Sequence, residues 1–385
     1  MTTGSGPEDL RGRSTLPKDA ASGSAPAAAH TAARADGDER EVTADQLSLA
    51  RRLRQPRTIA SLIVPIVVLV LVMLNLPGFK LDRLPGLIGR ANPLLLLAAF
   101  VIFYLGFPLR GYRWTLLIRG TGFRLPVRDA TEIIFLSWLV NCLVPAKLGD
   151  LYRAWLLKIN SPVSLSRTFG TVFIERILDL FAISVLGLAA GYWSFRNGLP
   201  TQVQIVFGIG VGVVVVLAVG LLTLRNFGRR ILVRLPVPAR IVEYYDRFEE
   251  GVFGAIGKRG LPPLIVITGF IWATEALRLY LVVQALHLPG VELGISGAFF
   301  VALIGSLLTA VPLSPAGLGI VEAGVVGVLG VAYGVPTTEG AAIALVDRAI
   351  SVLSIIVLGS IAYALSGKRR GAGVAGAAPE QAPTA

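Results

Sequence analysis

Acidic residues and arginines lie inside apolar segments of this chain, and twice they form an adjacent pair. Glu175-Arg176 interrupts one long apolar run, and Asp347-Arg348 interrupts another. Adjacent residues point about 100° apart on a helix, so the members of each pair must find partners on other helices. Because arginine binds phosphate and carboxylate groups through paired hydrogen bonds, these residues predict a polar cavity for an anionic headgroup. The alternative is a purely structural network that joins helices.

Two further apolar segments are broken in the middle by helix-breaking residues. In each segment a proline, Pro145 or Pro315, is followed four positions later by a glycine, Gly149 or Gly319. Interrupted apolar segments at corresponding positions of two halves are the best sequence indicator of a transport site. Glycine at such a break allows backbone N–H groups to approach an anionic headgroup closely.

We therefore predict a substrate-binding site built from charged residues, one amide and loop glycines of both halves. Its candidate residues are Arg110, Asn141, Lys147, Asp150, Arg153, Glu175, Arg176, Arg278, Gly317, Gly319, Glu322, Asp347 and Arg348. Three of these arginines, Arg110, Arg153 and Arg278, are expected to pair with acids of the same set. Arg113 and Arg119 are instead expected to anchor a helix at the membrane interface. We predict no catalytic residue.

Composition places these residues in an integral membrane protein. Hydrophobic residues make up 54% of the chain and the mean hydropathy is +0.70, which excludes a soluble domain. The net charge of +12 comes largely from loop arginines, which predicts contact with anionic inner-leaflet lipids rather than with nucleic acid. One cysteine excludes an intrachain disulfide, and two histidines without nearby cysteines predict no metal and no cofactor.

The chain divides into a membrane domain between two tails. Residues 1–54 and 369–385 are polar or small and predict disordered cytoplasmic tails, and residues 55–368 form the membrane domain. We predict an all-α polytopic protein with about six full spans, the first at about 59–76, and two re-entrant or broken helical hairpins. Eight to ten ordinary helices are the alternative. Basic flanks place both termini in the cytoplasm, with residues 225–261 as a cytoplasmic loop of a plasma-membrane protein.

Three local similarities relate the two halves of the membrane domain. LRGY at 109–112 returns as LRLY at 277–280, the PA and G of the first break return at 315–319, and ER at 175–176 returns as DR at 347–348. The order is kept, which predicts a duplication with halves at about 93–195 and 263–366. Since the basic flanks give the halves opposite orientations, the repeat is expected to be inverted. The alternative is similarity by composition alone.

The motifs also resemble a known family. RxxRW at 110–114, N-x3-P-x-K-x-G-D at 141–150 and P-x2-P-x-G-L-G-x2-E at 312–322 are similar to the transmembrane domain of lysylphosphatidylglycerol synthases, a family also described as flippase-like. The resemblance covers about residues 55–368. Lys147 and Asp150 stand where arginine and glutamate are expected, and Ala316 stands where glycine is usual.

This resemblance implies lipid translocation without synthesis, because the soluble aminoacyl-transferase domain of bifunctional members is expected to be missing. The expected substrate is an anionic or aminoacylated phospholipid, or a polyprenyl-phosphate-linked precursor. Two alternatives stay open: a membrane glycosyltransferase that uses a polyprenyl-phosphate donor, and an accessory subunit of cell-envelope synthesis. A homodimer is also compatible with the sequence.

Overall fold

A computed structural model describes most of the membrane domain. The described residues are 78–144, 147–196, 201–234, 238–254, 260–309, 314–371 and 373, together with Val67, Val70, Leu71 and Leu74. The tail predicted at 1–54, nearly all of the tail predicted at 369–385 and most of the predicted first span lie outside these residues. Within the described ranges the regular elements are helices, which confirms the all-α class.

The helices follow one another with short connections. They are α1 (Leu84–Gly89), α2 (Pro93–Arg119), α3 (Val127–Leu143), α4 (Leu148–Asn160), α5 (Leu165–Ser194), α6 (Thr201–Arg234), α7 (Ala239–Phe253), α8 (Leu261–Leu286), α9 (Ile295–Leu308), α10 (Ile320–Tyr333), α11 (Thr337–Arg348) and α12 (Ser354–Leu365). A π-helical turn, Ala349–Leu353, joins α11 to α12. Three of the described helices are long and apolar enough to cross a membrane: α2, α8 and the continuous helix Thr337–Leu365.

Local sequence explains where the long helices begin and end. Asn92 caps α2 because its side-chain oxygen accepts the N–H of Leu94 at 2.9 Å, and Ser164 caps α5 in the same way. At the other end of a helix, His287 adopts a left-handed conformation after α8, and Gly334 does so after α10. Asn92, Ser164 and Gly334, whose N–H donates to the carbonyl of Gly330 at 3.1 Å, satisfy backbone groups that a helix terminus leaves without partners.

Each interrupted segment folds as a hairpin of two helices. Lys368 contacts the beginning of α3 through Asp129 Oδ1 at 2.6 Å and the end of α4 through Asn160 Nδ2, which donates to its carbonyl at 2.7 Å. The beginning of α3 and the end of α4 therefore lie on one side of the molecule. In α9–α10, Tyr333 at the end lies against Gly297 near the beginning. The number of membrane crossings stays a prediction.

Helices α2 and α8 run antiparallel through the centre of the molecule. The N–H of Asn92, at the start of α2, donates to Ala285 O near the end of α8 at 2.8 Å. Trp114 and Leu117 of α2 and Ala276 of α8 are fully buried in the core. This pairing brings the polar faces of both helices to the same level of the bundle.

The segment predicted as a cytoplasmic loop at 225–261 is largely helical in its described residues, and its location in the cytoplasm stays a prediction. Helix α6 continues to Arg234, and α7 follows as an amphipathic helix. Its apolar side chains Tyr245, Phe248 and Val252 recur at helical spacing, a pattern that the charged residues between them obscured. Helix α7 packs on α5, and Arg167 Nη2 lies 2.9 Å from Glu250 Oε2 across that contact.

We expect the α5–α7 contact to depend on two glycines. A Cβ at Gly170 would lie 2.3 Å from Phe248 O, and one at Gly251 would lie 2.2 Å from Arg167 O. Because both neighbours are backbone atoms, the helices would have to separate. Gly170→Ala and Gly251→Ala should each lower the free energy of unfolding by about 1–3 kcal/mol, measured by thermal unfolding in detergent micelles.

Gly269 of α8 provides the control for this prediction, since a Cβ there would meet no atom within 4 Å. Gly269→Ala should leave stability unchanged or raise it by up to about 1 kcal/mol, the helix propensity difference. Equal melting of all three variants would contradict the close helix crossing.

Candidate functional site

A buried ion network connects α2, α4 and α5. Arg113 of α2, with a side-chain exposure of 1%, places Nη1 2.5 Å from Asp179 Oδ1 and Nη2 3.2 Å from Glu175 Oε1. Arg153 of α4 donates through Nη1 to both oxygens of Glu175, at 3.1 and 3.2 Å. The guanidinium of Arg153 stacks over Trp114 at 4.9 Å. Arg153 therefore pairs with an acid of the predicted set, as expected.

A second network lies where α2, α8 and α11 meet. Arg278 donates through Nε and Nη2 to the two oxygens of Asp347, at 2.8 and 3.1 Å, and it also contacts Glu275. Arg110 Nη2 lies 2.5 Å from Glu275 Oε1, and its guanidinium stacks over Trp138 at 4.7 Å. The expected pairing of Arg278 is confirmed. The expectation for Arg110 was wrong, because its partner Glu275 projects from the facing helix α8 and lies outside the predicted set.

Two further ion pairs tie each hairpin to the long helix that follows it. Arg176 donates through Nε and Nη2 to Asp150, at 2.9 and 2.6 Å. Arg348 Nε donates to Glu322 Oε1 at 2.8 Å. In both pairs the acid lies in the first turn of the hairpin's second helix, and the arginine follows 26 residues later. The first pair is the more exposed, with 34% of the Arg176 side chain and 13% of Asp150 exposed, against 14% of Arg348 and 1% of Glu322.

The first break turns at Lys147, which adopts a left-handed backbone conformation (φ 52°) that few residues other than glycine adopt. The N–H of Gly149 donates to Asn141 Oδ1 at 2.8 Å, which joins the two helices of the hairpin. A Cβ at Gly149 would lie 2.1 Å from Ser137 O, so only glycine allows this approach. Pro145 and Ala146, which precede Lys147 in this break, lie outside the described part of the chain.

The second break contains three residues with positive φ within four positions. Ala316 has φ 50°, Gly317 has φ 71° and Gly319 has φ 87°. The N–H of Gly319 donates to Glu322 Oε2 at 2.6 Å, and Arg348 donates to the carbonyl of Ala316. Glu322 therefore fixes the backbone of the break and the guanidinium of Arg348 at once.

Both breaks line one cavity of about 180 Å³. Its charged lining residues are Lys147, Arg176, Glu275, Arg278, Asp347 and Arg348. Asn141 and Gly317 line it as well, and Phe103, Trp138 and Trp272 give it aromatic walls. The volume is smaller than the roughly 300–1,000 Å³ of pockets for drug-sized ligands, so it suits a polar headgroup rather than a whole lipid.

The predicted site residues divide into a cavity wall and a layer behind it. Asn141, Lys147, Arg176, Arg278, Gly317, Asp347 and Arg348 line the cavity, whereas Arg110, Asp150, Arg153, Glu175, Gly319 and Glu322 are not among its lining residues. Asp150 and Glu322 each contact a wall arginine, and Arg110 contacts the wall residue Glu275. Gly319 contacts Glu322, one layer further from the cavity. Arg153 and Glu175 belong to the neighbouring network around Arg113.

The predicted site omitted three charged residues of these networks: Arg113, Asp179 and Glu275. The expectation that Arg113 anchors a helix at the membrane interface was wrong, since it is one of the most buried side chains described. A signal was present: Arg110 and Arg113 are three residues apart on α2, as are Glu275 and Arg278 on α8, so each pair shares a helix face. Arg119 is exposed at the end of α2.

Among the described residues no group of three or more histidine, cysteine or acidic side chains could hold a metal ion. Cys142 is buried and lies on the cavity wall. The cavity is thus lined by fixed charges, one amide and backbone groups of both breaks, an arrangement that can bind a small charged group.

Comparison with known proteins supports the resemblance drawn from the motifs. A family model described as the lysylphosphatidylglycerol synthase TM region matches residues 58–359. The UPF0104 membrane protein MJ1078 of Methanocaldococcus jannaschii is 36% identical over 226 residues, 58% of this chain and 92% of the relative. A UPF0104 membrane protein of Methanothermobacter thermautotrophicus is 28% identical over 286 residues, 69% of this chain and 82% of the relative.

A further relative carries an enzyme name. Glycosyltransferase AglD of Haloferax volcanii is 28% identical over 363 residues, which are 83% of this chain and 56% of that protein. This chain therefore spans little more than half the length of AglD.

The ion network around Arg113 should make a large contribution to stability. Asp179→Asn removes the charge that faces Arg113 and weakens the bond that Trp272 Nε1 donates to Asp179 at 3.1 Å. We expect a loss of about 2–3 kcal/mol in the free energy of unfolding, below the roughly 3–5 kcal/mol of a fully unpaired buried charge, because Arg113 keeps its contact to Glu175. Thermal unfolding of the purified protein measures it.

The double variant Arg113→Gln/Asp179→Asn should lose less than the sum of the single variants, because neither charge is then left alone. Asp82→Asn, at an exposed position, is the control and should have no effect. If the losses in the free energy of unfolding of the two single variants simply add up in the double variant, Arg113 and Asp179 do not interact.

Proposed function

The chain belongs to the lysylphosphatidylglycerol synthase TM-region family, and we propose that it moves a lipid between the two leaflets of a membrane. The cargo would be an anionic or aminoacylated phospholipid, or a polyprenyl-phosphate-linked precursor. The observation that carries the proposal is the meeting of two helix breaks at one charged cavity.

The free-energy cost of charged residues and irregular backbone in a bilayer is the reason why this cavity favours a transport function. A charged side chain at the centre of a bilayer costs about 2.5–3.5 kcal/mol on insertion scales, and non-helical backbone at that depth needs protein or a water-filled cavity around it. A buried stabilising network could be apolar at lower cost. Charges that line an open cavity are instead suited to carry a headgroup while the acyl or prenyl chains stay in the lipid.

The two halves support an alternating mechanism. Each half has a hairpin with a left-handed residue at its break, Lys147 or Ala316, and an arginine–acid pair with a separation of 26 residues. With the antiparallel helices α2 and α8, these features favour an inverted repeat around a central site. The unequal exposure of the two arginines, 34% for Arg176 and 14% for Arg348, is the asymmetry expected when one side of the cavity is open.

A glycosyltransferase is the second candidate, because AglD carries that name. Such an enzyme needs a carboxylate free to act on a sugar acceptor or donor. Among the described acids around the cavity, all six contact an arginine: Asp150, Glu175, Asp179, Glu275, Glu322 and Asp347. This pairing favours translocation over catalysis. An accessory subunit would show neither activity.

Translocation can be tested in liposomes that contain the purified chain. Fluorescent phosphatidylglycerol in the inner leaflet should become accessible to dithionite much faster than in empty liposomes. Arg348→Gln removes contacts to Glu322 and to the Ala316 carbonyl and should slow transfer at least tenfold, about 1.4 kcal/mol. Arg176→Gln, at the more exposed pair, should also slow it while preserving the fold.

Arg128→Gln, an exposed arginine outside the cavity, is the matched control and should transfer lipid at the wild-type rate. If the wild-type chain transfers no lipid but moves sugar from a polyprenyl-phosphate donor, the glycosyltransferase is correct. Absence of both activities would favour the accessory subunit.

The orientation of the two hairpins forms a separate prediction. In a Cys142→Ser background, we expect a membrane-impermeant thiol reagent to label Lys147→Cys from the cytoplasm and Ala316→Cys from outside. Both termini would then lie in the cytoplasm of a plasma-membrane protein, as the basic flanks predict. Labelling of both positions from the same side would contradict the inverted repeat.

A further inference from the structure

The charges around the cavity do not balance. The cations are Arg110, Arg113, Arg153, Arg176, Arg278, Arg348 and Lys147, and the acids are Asp150, Glu175, Asp179, Glu275, Glu322 and Asp347. Each of the six arginines forms an ion pair with at least one of the six acids. No ion pair joins Lys147 to any acid of the described part of the chain, so one positive charge is left over.

The short segments at the breaks that the structure does not describe leave this balance unchanged. Their sequences are PA at 145–146 and AVPL at 310–313, and neither contains an ionisable side chain. The cavity wall itself is more unequal, with four cations against the carboxylates of Glu275 and Asp347.

Lys147 is placed at an unusual position. It is half-buried, it lines the cavity, and its backbone is left-handed, a conformation that glycine adopts without strain. A strained residue persists where the surrounding structure holds it, and such positions cluster at ligand sites. This turn places the Lys147 side chain on the wall of the cavity, between the two helices of the first hairpin.

We infer that the cavity binds the phosphate of an anionic lipid, with Lys147 as its main contact, and that it disfavours an aminoacylated headgroup. This inference rests on the proposed function and specifies which lipid the proposed cavity binds. A half-buried ammonium that no carboxylate contacts directly lacks a charge-assisted hydrogen bond, and a phosphate oxygen supplies one.

The size of this excess positive charge further narrows which lipid the cavity can bind. A phosphodiester lipid carries one negative charge, which matches the single unpaired lysine. A lysyl-esterified lipid carries two amines in addition to its phosphate, so its net positive charge would add to that of the wall. The family resemblance alone would favour the aminoacylated lipid, whereas the charges favour the plain anionic one.

The test measures binding by calorimetry to the full-length chain in phosphatidylcholine nanodiscs. The ligands are dihexanoyl phosphatidylglycerol, its lysyl ester and inorganic phosphate. The wild-type chain should bind the phosphatidylglycerol at least tenfold more tightly than the lysyl ester. Lys147→Gln should weaken binding of the phosphatidylglycerol about tenfold, the loss of one charge-assisted hydrogen bond.

Two variants serve as controls. Lys147→Arg keeps the charge and should bind within about threefold of the wild type, since arginine also binds phosphate. Lys80→Gln, at an exposed lysine outside the cavity, should bind as the wild type does. The comparison between the two lipids uses only the wild-type chain, so it stands even if a variant at Lys147 does not fold.

Each other outcome overturns the inference. Equal affinities for phosphatidylglycerol and its lysyl ester would show that the excess positive charge does not select the ligand. Unchanged affinity of folded Lys147→Gln for phosphatidylglycerol would show that Lys147 does not bind the lipid. Binding of inorganic phosphate without binding of the lipid would identify a free phosphate as the ligand. Failure of the proposed function is distinguishable, because lysine-dependent lipid binding without leaflet transfer in liposomes would reject translocation alone.

Discussion

The need to pair charge within an apolar bundle is the constraint on which the rest of this structure depends. Six arginines and six acids lie between helices whose other faces are apolar, and each arginine is held by at least one acid. Removing one partner of such a pair is far more destabilising than the pair is stabilising. The helices that carry them are therefore fixed relative to one another, and α2 and α8 must run side by side.

The same pairing shapes the two helix breaks. Glu322 accepts both the N–H of Gly319 and the guanidinium of Arg348, so one carboxylate satisfies a backbone group and a charge. At the first break the roles are divided, since Asn141 accepts the N–H of Gly149 and Asp150 accepts Arg176. Irregular backbone inside the bundle is thus stabilised by side chains from the hairpin itself and from the next long helix.

Sequence alone predicted the helical class, the two breaks and most residues of the charged networks. These features follow from strong local signals: long apolar runs, proline with glycine, and charges that are costly in a membrane. The partners of individual arginines were harder to predict, because a helix brings residues together with others far along the chain. Arg110 pairs with Glu275, 165 residues away, and no local pattern indicates that distance. Helix α7 was missed because its charged residues outnumber the apolar residues that pack on α5.

Both hairpins are held at their open ends, the first through Lys368 and the second through Tyr333, whose hydroxyl lies 3.0 Å from Ser194 Oγ. The hairpins are held at their tips as well, because Arg176 binds Asp150 and Arg348 binds both Glu322 and the carbonyl of Ala316. The tips are also where Lys147 and Ala316 lie. The wall of the cavity is therefore fixed by contacts at both ends of each hairpin, and any change in its shape has to break an ion pair or move a whole hairpin.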